Sequence, residues 1–545
     1  MITIFCAKKI ITLDSCHPYA THVAVRDGRI LGAGSLQELA AWGEHSLDER
    51  FAEKVLMPGL VEAHSHVSEG TYWRYVYCGF YDRLDPNGHL WSGAHDIAAV
   101  QARLHEAEAA LSGSPAPLSG WGLDPIYYTG RRMTRTDLDA VSRVRPIGVL
   151  HASSHAMTVN SIALEQAGLM RADIHHPGIP RSDDGLPTGE LVGHDAMGLV
   201  GARVGFDREL LASDELGLRY FGRLCVRKGV TTAADMASLL PDNGLAMMLR
   251  VTGEEDFPVR IVALRRLQGL APAGLIARAA ELRGMSTERL RLGQVKVVLD
   301  GSIQGFSARI AWPGYFNGAA NGQWYVTPEE LGETLELALA SGVQVHVHTN
   351  GDEAVELMLD CMERALMRNP RPDHRFTIQH GQLANAAQFR RMKALGMCVN
   401  LFANHLYYWG DQHYAITVGP ARASRMNACA TALASGVPLA IHSDAPVTPL
   451  GPLFTAWCAV NRRTASGRIL GPAERIPVEA AIRAITLGAA YTLRLDHEVG
   501  SIECGKRADF TVLEDDPLEI DPAALKDARV WGTVQSGRVF DAAAL

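Results

Sequence analysis

Nine residues, Pro58-Gly59-Leu60-Val61-Glu62-Ala63-His64-Ser65-His66, constrain what this chain can fold into more than any other stretch. Val55, Leu56 and Met57 lead in as a short apolar run, which predicts a buried strand. Pro58-Gly59 breaks its start and His64-Ser65-His66 closes its end. Side chains alternate faces along a strand, so residues two apart share a face. His64 and His66 can therefore aim two imidazoles at one point, and neutral imidazole is a ligand for zinc and its neighbours. Alone, an H-x-H pair is a weak signal, and two polar residues at a strand end is the plainer reading.

The rest of the chain strengthens the metal reading. Strand-like runs at 229–235, 258–264, 293–300, 343–348, 375–380, 396–401 and 437–444 follow, which with the strand ending at His66 makes eight. Helical patterns fill the gaps, for example Pro328 to Ala340 and Ala354 to Met367. Strands alternating with helices predict a parallel sheet. Eight such units predict an α/β fold, a (β/α)8 TIM barrel over 56–497, with its active site at the C-terminal ends of the strands. Residues 67–225 are too many for one crossover, so they read as a large insertion after barrel strand 1, expected to cover the site. A helical piece, Ser161 to Leu169, and the turns Asp183-Asp184-Gly185 and Pro187-Thr188-Gly189 fall within it.

Both chain ends read as short strands. His22 to Arg26 alternates, Asp27-Gly28 is a tight-turn pair, and a later hairpin turns at Ser536-Gly537. Neither end can bury a face alone, so 1–55 and 498–545 are expected to form one small β domain, a β-sandwich.

Composition narrows the function classes. Over 545 residues, 47% apolar and 21% charged is ordinary for a globular protein. The net charge of −8, with no basic block, argues against a nucleic-acid partner. Nine scattered cysteines contain no C-x-x-C pair, which disfavours a disulfide framework and a thiolate zinc site. A reducing, cytoplasmic setting fits that usage. No secretory pattern opens the chain and no apolar run reaches a membrane span, so no membrane partner is expected.

Metal-ligand residue types end several of the strands: His64 and His66 the first, His348 the fifth, His380 the sixth, Asp444 the eighth. Lys296 sits inside the very apolar fourth strand and shares a face with Val298 and Asp300, so it points into the barrel if Val295, Val297 and Leu299 face the helices. Singly, each histidine could be a hydrogen-bonded core residue, and Lys296 could pair with Asp300 or Asp444. Together, barrel geometry would converge all six.

On these residues the chain resembles the metal-dependent amidohydrolase superfamily, in the branch that includes N-substituted formamide deformylases. The likeness spans nearly the whole chain. It rests on PGLVEAHSH (58–66), NSIAL (160–164), GVTT (229–232), KVVLDGS (296–302), HTNGDEA (348–354), TIQHGQ (377–382), HSDAPV (442–447) and GSIECGKRADF (500–510). The resemblance implies that His64, His66, His348, His380 and Asp444 bind one or two divalent metals, zinc foremost, with manganese or iron as alternatives. It implies that Lys296, carboxylated, bridges two metals, and that Asp444, Lys296 and His380 serve catalysis. A metal lowers the pKa of its water and polarises a carbonyl. Asp444 would take the proton from the attacking water and pass it to the leaving amine.

The expected activity is hydrolysis of a non-peptide C–N bond in a small molecule, an N-substituted amide or formamide. Deamination of a cyclic amidine is the runner-up. Many deaminases of the superfamily carry glutamate three residues after the fifth-strand histidine, where this chain has Gly351. A non-catalytic regulatory protein on the same fold is a third reading. His346 and His442 lie a layer deeper than His348 and Asp444 and are expected to support or pack. His155, Trp121, Tyr408 and Trp409 are candidate substrate contacts, packing being the plainer role for most of the aromatics. Oligomeric state is open, a homodimer being the commonest closed assembly.

Overall fold

The computed structural model describes residues 1–128 and 130–545. Two compact units make up the chain. The first comprises Met1–His66, Gly222–Leu239 and Leu249–Leu545, the second Val67–Phe221 and Leu240–Met248.

An eight-stranded parallel sheet forms the heart of the first unit. Its strands are Leu60–Ser65, Val230–Ser238, Arg260–Arg266, Leu290–Val298, Val345–Thr349, Thr377–His380, Cys398–Leu401 and Leu439–Ile441, neighbours in space in that order. Helices between them, such as Pro328–Ser341 and Asp352–Arg368, supply the crossovers. The last strand returns to the first: Ser65 bridges Ala445 in parallel, the Asp444 amide donates to the His64 carbonyl at 3.0 Å, and the His66 amide donates to Ala445 at 2.7 Å. The sheet is thus a nearly closed barrel. Along its first strand Val61 and Ala63 pack with Ala489, Ala490 and Leu493, leaving Glu62 and His64 on the opposite, inner face.

The chain ends build a separate sheet of seven strands. Two of its hairpins turn at Asp27-Gly28 and Ser536-Gly537. All four residues have positive φ, as the twist of a two-residue hairpin demands. Two sequence expectations change. The strands that read as a sandwich are hydrogen-bonded into one continuous sheet, since Ile2–Ile11 pairs with neighbours on both sides. Register shifts along it, between Phe5 and Ala7 and again before Lys9, mark bulges that bend a long strand. The apolar lead-in Val55–Met57, read as the start of the first barrel strand, instead pairs with Thr511–Leu513. The chain changes sheets at Gly59, where a Cβ would stand 1.9 Å from the Thr231 hydroxyl.

In the second unit five strands form a sheet in the order Glu190–Val192, Ala156–Val159, Ile147–His151, Leu118–Leu123, Val76–Tyr77. One apolar cluster gathers around Trp121, Leu150 and Phe206, another around Leu104, Leu118 and Val149. The unit also takes Leu240–Met248, a stretch the sequence reading left with the barrel. Among the described residues no helix is long and apolar enough to cross a membrane.

Candidate metal centre

The first and eighth barrel strands each end in a residue-serine-residue triplet, His64-Ser65-His66 and His442-Ser443-Asp444. Their pairing lays the triplets side by side, so two imidazoles face an imidazole and a carboxylate. His64 Nε2 and His66 Nε2 each lie 3.2 Å from Asp444 Oδ1, and His380 Nδ1 lies 3.9 Å from Asp444 Oδ2. The sixth strand contributes through a break in its alternation. His380 has φ 72° and Asp444 φ 55°, a left-handed backbone that costs a non-glycine residue on the order of 1 kcal/mol or more. The twist lets Gln379 and His380, adjacent in sequence, both address His64: Gln379 by a hydrogen bond, His380 with rings 4.6 Å apart.

Two sets of three donor atoms result, each with its members within 4.8 Å of one another: His64, His66, Asp444 and His64, His380, His442. The His442 nitrogens and His380 Nδ1 are buried without a hydrogen-bond partner among the described residues. Buried imidazoles left so are unusual, and a cation is the partner their chemistry suits. The donors therefore fit a divalent metal.

Gln379 determines how His64 takes part. Its Oε1 lies 2.6 Å from His64 Nδ1 and also accepts from Asn400 Nδ2 at 2.9 Å, while its Nε2 approaches His346 Nδ1 at 2.8 Å. A carbonyl oxygen only accepts, so His64 carries its proton on Nδ1 and keeps Nε2 for a metal. One nitrogen lone pair serves one ion, and both sets draw on His64. A second ion would need a further bridging donor. We expect Gln379→Leu to weaken zinc binding about 10–100-fold, the usual cost of losing such support, read by competition with a chromophoric chelator.

Electrostatics prepare the donors. Burial, with Lys296 beside it, pushes the His64 imidazole down to about 4, and burial holds His380 and His442 well below their ordinary range. All three are neutral and ready to ligate. Burial alone would raise the Asp444 carboxyl, yet the imidazoles packed around it, His64 first, then His66 and His380, hold it well below its ordinary range. Burial pushes the neighbouring Glu62 up to about 8 against hydrogen bonds from Ser443, whose hydroxyl donates to it at 2.7 Å.

Lys296 is 1% exposed, and its Nζ lies 3.3 Å from His64 Nε2, its one hydrogen-bond partner among the described residues. Burial pushes its ammonium down to about 7, against the attraction of Asp444. His348 stands differently. Its ring touches His380 at 4.4 Å, but Nε2 is turned toward Asn350 Nδ2 at 3.0 Å and the Gly301 carbonyl at 3.4 Å, outside both donor sets. His346 is buried, its Nδ1 2.8 Å from Gln379 Nε2.

The other sequence candidates lie as follows. Trp121 is interior to the second unit, its ring 5.1 Å from those of Trp73 and Tyr77. His155 is half-buried there, 5.4 Å from the His194 ring. Trp409 is buried in the first unit on helix His405–Gln412, stacked on His405 at 4.4 Å, and Tyr408 is half-buried against Phe454. Sequence reasoning missed Gln379 and Asn400. A polar residue inside each short apolar strand, at 377–380 and 398–401, was the available signal.

Comparison with known proteins adds the context. The model of the amidohydrolase family matches residues 52–541. Protein LONG AFTER FAR-RED 3 of Arabidopsis thaliana is 28% identical over 535 residues, covering 92% of this chain and 85% of its own. The N-substituted formamide deformylase of Arthrobacter pascens is 26% identical over 557 residues, covering 96% of each chain. A crystal structure of an uncharacterized metal-dependent hydrolase from Pyrococcus horikoshii superposes with a TM-score of 0.73 at 20% identity, covering 96% of this chain and 99% of that one.

Proposed function

The chain belongs to the amidohydrolase family and is a metal-dependent hydrolase of carbon–nitrogen bonds, and from that premise we propose that it cleaves N-substituted amides or formamides. The observation that carries the reading is Asp444, an ionised carboxylate 3.2 Å from both His64 and His66. In the proposal His64, His66, His380 and Asp444 hold zinc, with manganese or iron as alternatives, and His348 joins once its ring turns from Asn350. A divalent metal so held acidifies water and polarises the scissile carbonyl. Asp444 takes the proton of the attacking water and delivers it to the leaving nitrogen, whose departure as an amine needs that proton. Where two ions bind, carboxylated Lys296 is the bridge. A neutral amine is the form that combines with carbon dioxide, and a buried lysine with no carboxylate in hydrogen-bond reach favours it.

Against the cyclic-amidine alternative stands Gly351. A Cβ there would lie 1.7 Å from the Arg309 carbonyl oxygen, so no glutamate fits where deaminases of the superfamily carry theirs. The nine cysteines form no disulfide, which supports a cytoplasmic setting.

The test is metal content per chain on protein purified without chelators, with turnover of a panel of N-substituted formamides, amides and cyclic amidines. Bound metal with formamide or amide turnover supports the proposal, two metals per chain adding the Lys296 bridge. Turnover of amidines alone would move the assignment to deamination. No metal and no turnover after zinc is added would leave the non-catalytic reading.

A further inference from the structure

A second group of buried histidines lies beyond the metal donors. Helix His405–Gln412 follows the seventh barrel strand and runs into a π-helical turn, His413–Thr417. Such turns are rare and recur at functional sites. This one lines up four side chains. Thr417 Oγ1 lies 2.7 Å from His413 Nδ1, His413 Nε2 lies 3.0 Å from His405 Nδ1, and His405 Nε2 lies 3.2 Å from Gln304 Oε1. Thr417 and His413 are wholly buried, His405 and Gln304 nearly so.

The direction of this chain follows from its far end. A buried hydroxyl must donate its proton, and Thr417 has no other acceptor among the described residues. Its O–H therefore donates to His413 Nδ1. A neutral imidazole carries one proton, so His413 donates from Nε2 to His405 Nδ1, and His405 donates from Nε2 to Gln304. Burial keeps both rings neutral, pushing His413 down to about 3 and His405 well below its ordinary range. Only the carbonyl oxygen of Gln304 can accept that last bond. A flipped amide would set N–H against N–H. The Gln304 NH2 thus faces away from the chain and makes no hydrogen bond to a described residue.

Gln304 sits where barrel enzymes meet substrate, on the loop after the fourth strand. The same loop carries Asp300 and Gly301, which touch His348. His405 packs on Phe402 at 4.8 Å, and Phe402 packs on His442 at 4.8 Å and His380 at 5.6 Å. We propose that Gln304 is a substrate-binding residue that offers only N–H donors, to an oxygen acceptor such as an amide carbonyl. Thr417, His413 and His405 are positioning residues that hold its amide in that sense. A protonated amidine offers only N–H groups in the same place and would leave both sides unpaired, so the device selects amides over amidinium groups. Its kinetic arm rests on the hydrolase reading, its proton arm does not.

Histidine-15N spectra of the intact protein, assigned with single-histidine variants, read the tautomers directly. Protons on Nε2 of both His405 and His413 are expected, and a proton on Nδ1 of either would overturn the proposal. With N-benzylformamide as substrate, Gln304→Ala should lower kcat/KM about tenfold or more, as for a lost hydrogen bond. Thr417→Val should raise KM and mix the tautomers, while Thr417→Ser, which keeps the hydroxyl, restores both. A Gln304→Ala enzyme with unchanged kcat/KM sinks the assignment, as does Thr417→Val changing melting temperature alone. If the wild type hydrolyses no formamide, the function reading fails by itself. The Gln304 side-chain amide signal then decides: a shift on adding N-benzylformamide supports the proposal, and none overturns it.

Discussion

Replacing His64 and His66 together with alanine strips the metal to background and lowers turnover by at least about a thousandfold, since carbonyl polarisation alone supplies about 10²–10³ in such sites. His64 carries the expectation, because it belongs to both donor sets. His66 is added so that a displaced ion cannot settle on the outer donors. The barrel survives, because both side chains leave the inner face while Val61 and Ala63, which hold the strand to its helices, stay. The loss of the His64–Gln379 bond leaves the buried amide its bonds to Asn400 and His346 and costs about 0.5–1.5 kcal/mol, enough to lower the melting temperature without unfolding the chain. Metal analysis and far-ultraviolet circular dichroism on one preparation check both halves. Full activity in the double variant would sink the metal assignment.

Asp444→Asn gives the second large effect, of another kind. The substitution keeps size and one coordinating oxygen but cannot accept a proton from water. A positioned general base contributes about 10²–10⁴-fold, so kcat is expected to fall within that range while much of the metal is retained. The contrast with the histidine variant separates proton transfer from metal holding. Equal loss of metal in both variants would reduce Asp444 to a ligand. The measurement is kcat and zinc per chain, compared across the two.

Both experiments aim at residues legible in the sequence, for a physical reason. His64, His66, Lys296, His380 and Asp444 are polar residues within or ending apolar strands, and strand periodicity with barrel topology predicts their meeting. The rest was not legible because it depends on pairing between distant segments or on exceptions to alternation. His66 and Asp444 are 378 residues apart, and nothing local announces that their strands close a seam. Gln379 should point away from His380 on the alternation rule, and only the left-handed backbone at His380 brings both inward. Val55–Met57 shows the matching limit: an apolar run predicts a buried strand but not which sheet receives it. The aromatic residues were the weakest guide. Trp121 and Trp409 are apolar first, and burial in a core accounts for them as readily as a ligand does.

The seam between the first and last barrel strands carries one more consequence. Because the candidate metal donors are split between the earliest and latest parts of the barrel, no shorter length of chain would assemble them. During synthesis the early histidines would lack their partner carboxylate until the segment bearing Asp444 had been made. Metal capture at this site would then act as a completeness check. Once the ring has closed, the ion ties its two sides together, and loading with metal should slow the opening of the barrel at that joint first.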